Sequence, residues 1–155
     1  MCVLTLATFI KETDACLFDI LEQMWIHSRT FALFAVALSI LGVVHVVATS
    51  FYLYWTYPWL DIPLHALGGA VVSLGFLVLF HAYVHGHFGK GLAVTLGAVL
   101  AVGAVWEVFE FVSVIAGAEP GYVPDTILDF VMDLAGGCVG YAAARVEARH
   151  GQVAL

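Results

Sequence analysis

Seven residues in this chain have the types and spacing to hold a cation or move a proton: Asp61, His65, Glu107, Glu110, Asp125, Asp129 and Asp133. Asp61 and His65 stand at i and i+4, Glu107 and Glu110 at i and i+3, and Asp125, Asp129 and Asp133 at i, i+4 and i+8. Each set falls on one face if its segment is helical. Six carboxylates and one imidazole, with no thiolate, make a hard, oxygen-rich ligand set. Such a set suits Mg2+, Ca2+, Mn2+ or a carboxylate-bridged di-metal centre with Fe, and Zn2+ if His65 is a ligand. The same residues also have plainer uses. Asp61 and Asp125 are placed to cap helix N-termini, and His65 alone is compatible with a hydrogen-bonded core histidine.

What makes the set demanding is the sequence around it. The chain has 155 residues, 63% hydrophobic and 11% charged, and a mean hydropathy of +1.00. Soluble domains are about 25% charged. This composition describes one polytopic all-α membrane domain spanning residues 1–155. A formal charge of −7 with only five basic residues leaves no basic patch for nucleic-acid phosphates.

Four apolar segments, at 31–53, 62–84, 92–116 and 124–144, are each long enough to cross a ~30 Å hydrocarbon core. Their short connections predict an antiparallel four-helix bundle. The first strong span is long enough to remain in the membrane rather than act as a cleaved signal. Ahead of it, residues 1–28 place Leu6, Ile10, Leu17, Leu21 and Met24 roughly on one side, away from Lys11, Glu12, Asp14, Asp19 and Glu22. That pattern predicts an amphipathic helix lying in the interface.

The basic residues orient the bundle. Lys11 and Arg29 precede the first span, Lys90 lies between the second and third, and Arg145 and Arg149 follow the fourth. All fall on one face, which the positive-inside rule makes cytoplasmic, with both termini there. Tyr54, Trp55, Tyr57 and Trp59 form an aromatic belt on the opposite face. Cys138, in an apolar segment, reads as a small packing residue. Gly68, Gly69, Gly136, Gly137 and Gly140 allow close helix approach.

On this topology all seven site residues lie in the outer half of the membrane. Counting back from Ala116, Glu107 and Glu110 are roughly 14 and 9 Å below the outer end of their span. An ionised carboxylate near mid-bilayer costs ~2.5–3.5 kcal/mol, so four facing lipid would cost on the order of 10 kcal/mol. They must face the bundle interior. Neighbouring carboxylates cannot all ionise there cheaply, so the cluster binds cations or holds protons. No Lys or Arg lies between Arg29 and Arg145 except Lys90, in a polar loop. His45, in the outer half of the first span, is a further candidate to reach the cluster. His81, His85 and His87 gather at the other membrane face and read as loop-stabilising groups or a transition-metal site.

Asp61-x-x-x-His65, Gly68-Gly69, Trp106-Glu107-x-x-Glu110-Phe111 and Asp125-Thr126-x-x-Asp129-x-x-x-Asp133-x-x-Gly136 occur in that order. The set resembles the YjdF-like family of small bacterial inner-membrane proteins and, more distantly, VanZ-like proteins. The resemblance implies a bacterial inner-membrane setting and an order of motifs, without an activity.

Three functions fit these residues. The first is a metal-dependent membrane hydrolase acting on a lipid-linked or envelope substrate, with the carboxylates holding the metal and His65 or Asp61 as catalytic base. The second is a small accessory subunit of a larger membrane complex, or a homo-oligomer, in which a partner supplies the cation. The third is a proton or metal-cation transporter. Membrane lipid is a partner in all three.

Overall fold

The computed structural model describes residues 29–84, 88–113 and 122–153. The amphipathic helix expected over residues 1–28 lies outside them, as do His85, His87 and the side chain of His81. The described elements run α1 (Arg29–Ser50), α2 (Leu53–Thr56), a 3-10 turn (Pro58–Leu60), α3 (Asp61–Val84), α4 (Phe88–Val112) and α5 (Tyr122–Val153). No strand occurs among the described residues. Among the described residues four helices are long and apolar enough to cross a membrane. Their outer faces, with Val43, Val105 and Val112 among the exposed side chains, are suited to lipid contact.

The first helix stops earlier than its apolar composition suggests. The apolar run continues to Leu53, but the helix ends at Ser50 and Tyr52 adopts the left-handed region at φ 55°. The chain then folds back through α2 and the 3-10 turn, whose Pro58 begins the turn. The turn runs directly into α3, so Asp61 is already helical, at φ −63° and ψ −42°, rather than a cap. Asp125 likewise sits inside the first turn of α5, which begins at Tyr122.

Packing is closest between α3 and α5, which run parallel. A Cβ on Gly69 would collide with the backbone carbonyl of Asp133, and one on Gly136 with that of Ala66. Only glycine permits this approach, which is the usual way apolar helices gain contact inside a bilayer. The contact faces carry the site further along. Asp61 and His65 continue the Gly69 stripe outward on α3, and Asp133 and Asp129 continue the glycine stripe outward on α5. On α4 the buried stripe is Thr95, Val99, Gly103 and Glu107, at intervals of four. Three stripes therefore converge with their polar members at one end.

The apolar core lies at the other end. Leu74, Leu77, Tyr141 and Ala144 form it, with Phe34, Ala37, Phe76 and Leu92 packed around. Arg29 of α1 and Glu147 of α5 pair at 2.7 Å, so the first span begins on the side where the last ends. Cys138 departs from its expected role: it is exposed on α5, facing away from the glycine stripe.

Candidate metal centre

The α3–α5 contact sets the ring of His65 between acids from both helices. Its Nδ1 lies 3.3 Å from Asp133 Oδ1. Its Nε2 lies 3.7 Å from Asp61 Oδ2 and 3.7 Å from Asp129 Oδ1. At 3.7 Å neither of the last two is a hydrogen bond. Helix α4 adds Glu107 and Glu110. One donor atom each from Asp61, His65 and Asp129 lies within 4.8 Å of the others, and the same holds for His65, Glu107 and Glu110.

Burial separates these groups. His65, Glu107, Asp129 and Asp133 are buried at 7, 7, 3 and 6% exposure, whereas Asp61 and Glu110 are half-buried. Asp125 is exposed and belongs to neither close group.

Some carboxylate oxygens are held in place and others are not. The Thr126 hydroxyl donates to Glu107 Oε2 at 2.8 Å. The Trp106 indole N–H donates to Glu110 Oε1 at 2.9 Å. The remaining oxygen of Glu107, Oε1, and Oδ1 of Asp129 are buried with no hydrogen-bond partner. Buried polar atoms are almost always paired, because an unmade bond there costs ~1–3 kcal/mol. Asp129 Oδ1 lies beside the imidazole, and together with Glu107 Oε1 it leaves the cluster with open acceptor positions.

The donor set fits a divalent cation. Oxygen and imidazole ligands sit at about 2.0–2.6 Å from such ions. Donors on one ion are then about 3–5 Å apart, a range that includes the 3.7 Å from His65 Nε2 to the Asp61 and Asp129 oxygens. The Nδ1–carboxylate contact also matches the way a metal-binding histidine is oriented by a carboxylate on its other nitrogen.

Two side chains on the α1 side join the site. His45 Nδ1 lies 2.8 Å from the Tyr54 hydroxyl, and its ring meets Trp106 edge-on at 5.8 Å. Burial, reinforced by the Asp61 and Glu110 carboxylates, pushes the Tyr54 hydroxyl up to about 12. Tyr54 thus leaves the aromatic belt that Trp55, Tyr57 and Trp59 form as exposed groups. Sequence spacing did not single out Tyr54 because the helix break at Tyr52, a residue with a side chain in a glycine-like conformation, carries no local signal. Thr126 did carry one: it follows Asp125 within the α5 motif, four residues into the helix.

No curated protein and no solved structure matches the chain. Residues 15–149 match the family model described as "Predicted membrane protein (DUF2238)", and the chain belongs to that family.

Proposed function

We propose that this protein holds one divalent cation within the membrane and uses it to hydrolyse an ester or phosphoester of an amphiphilic envelope substrate. The observation that carries the reading is the pair of buried, unpartnered oxygens on Glu107 and Asp129 beside His65. Nδ1 is committed to Asp133, His65 is the residue the two close groups share, and in this reading they close on one ion. Glu107, Glu110, Asp129 and His65 are the ligands in this reading, and Asp133 orients the imidazole. The oxygen-rich set with one imidazole admits Mg, Mn, Ca, Fe or Zn.

A divalent ion there would polarise a phosphoryl or carbonyl oxygen and activate water. Asp61 is the half-buried acid beside His65 and lines the adjoining cavity. It is placed to take the proton from water as the new O–P or O–C bond forms and return it to the departing oxygen. The apolar core below the cluster, Leu74, Leu77, Tyr141 and Ala144, favours an enclosed reaction site over a path across the membrane.

The basic residues support an inner-membrane orientation with both termini cytoplasmic and the site opening outward. The Arg29–Glu147 pair supports placing the start of α1 and the far end of the fourth span on one side. The order of motifs supports kinship with YjdF-like proteins.

Loading purified protein with Mn2+ and assaying p-nitrophenyl dodecanoate and dodecyl p-nitrophenyl phosphate tests the chemistry. Metal-dependent turnover that Asp61→Asn abolishes while metal is retained is the expected result. Metal-loaded protein that turns over neither compound, nor any envelope lipid extract, contradicts hydrolysis.

A further inference from the structure

A cavity of about 300 Å3 adjoins the cluster on its α1 side. Its chemistry changes with depth, and three helices agree on the direction. Along α3 the lining passes from Asp61 and His65 inward to Val72, a distance of about 16 Å at 1.5 Å per residue. Along α4 it passes from Trp106 inward to Val102 and Val99, and along α1 from His45 to Leu41. Asp133 of α5 lines the cavity at mid-depth, against Gly69 and Gly103; outward of it stand the polar groups, and inward of it the lining is hydrocarbon.

Glycines create the space. A Cβ at Gly42 or Gly68 would have nothing within 4 Å, although both residues line the cavity. They differ from Gly69 and Gly136, which are needed for helix contact. Water suits the inner part poorly, because it needs two or more polar partners and the walls there are Leu41, Val72 and Val99. A cavity of about 150 Å3 accepts a benzene ring, so this one has room for roughly a dozen carbons.

We infer that the cavity binds the hydrocarbon chain of a single-chain amphiphile and thereby sets the chain's polar linkage against His65 and Asp61. The identity of the reacting linkage rests on the metal-centre reading, while the chain subsite rests on the cavity itself. His45 and Tyr54, paired across the outer end, position the linkage.

The test uses full-length protein in phospholipid nanodiscs and a C12 alcohol carrying a diazirine near its methyl end. After irradiation, crosslinks are mapped by peptide mass spectrometry. The inference expects label on Val72, Val99 or Val102 that excess unlabelled C12 alcohol suppresses at least ten-fold. Gly42→Leu and Gly68→Leu, on separate helices, each suppress it similarly, with metal content and label on lipid-facing Val105 unchanged. The competition arm needs no substitution, so a variant that fails to fold leaves the test intact. Metal-bearing wild type without competable label in the cavity overturns the chain subsite alone. Wild type free of metal but labelled there overturns the metal centre and leaves the subsite standing.

Discussion

Nδ1 of His65 lies 3.3 Å from Oδ1 of Asp133, a contact made across the parallel crossing of α3 and α5. It turns the other ring nitrogen toward Asp61 and Asp129. Removing the acceptor charge without changing shape should loosen that aim. Asp133→Asn is expected to weaken metal affinity by about ten- to a hundred-fold. Titration with Mn2+, read by electron paramagnetic resonance, measures it; unchanged affinity would show that Asp133 does not orient the ring.

The α3–α5 crossing has its own prediction. Gly69→Ala and Gly136→Ala each drive a methyl into backbone carbonyl of the facing helix. Overpacking typically costs about 1–3 kcal/mol, and backbone offers little relief, so the upper part of that range is expected. Gly42→Ala, which meets open space, should be near neutral. Thermal unfolding in detergent compares the three, and equal midpoints would contradict the close crossing.

Thr126 supplies the hydroxyl that fixes Glu107. Thr126→Val removes it while keeping the side-chain shape, at a cost of about 1 kcal/mol in holding the carboxylate, or roughly five-fold in metal affinity. Equilibrium dialysis with and without the substitution reads this directly. A fall limited to thermal stability, with affinity intact, would make Thr126 a packing residue only.

Tyr54 gives a prediction in alkali. Its hydroxyl is pushed from 10.0 up to about 12, first by burial and then by Asp61 and Glu110. The unfolded chain then releases this proton before the folded one does. Stability linked to Tyr54 is complete below pH 10 and is lost as pH rises from 10 toward 12. Tyr54→Phe should flatten that part of the pH–stability curve. Identical curves for the two proteins between pH 10 and 12 would place Tyr54 in contact with water.

The sequence made the four spans legible because long apolar runs admit few other structures in lipid. It also placed Glu107, Glu110, Asp129 and Asp133 inside the bundle, since the cost of facing lipid left no alternative. What it obscured depended on contacts between helices. The caps suggested for Asp61 and Asp125 dissolve because Asp61 is itself the first helical residue of α3 and α5 begins at Tyr122, before Asp125. Asp125 is left exposed, while Asp133 turns to the imidazole nitrogen opposite the one facing Asp61 and Asp129. Tyr54 and His45 meet only because the chain reverses at Tyr52, a left-handed turn that no nearby glycine announces. Cys138 faces outward because the glycine stripe takes the interior face of α5.

The most direct measurement is the metal content of protein purified without chelator, by inductively coupled plasma mass spectrometry, beside the Glu107→Gln/Asp129→Asn variant. One divalent ion per wild-type chain, with at least ten-fold less in a variant that remains folded, is the predicted result. Folded wild type lacking divalent metal even after incubation with each candidate ion, or a variant that keeps the full complement, would contradict the account.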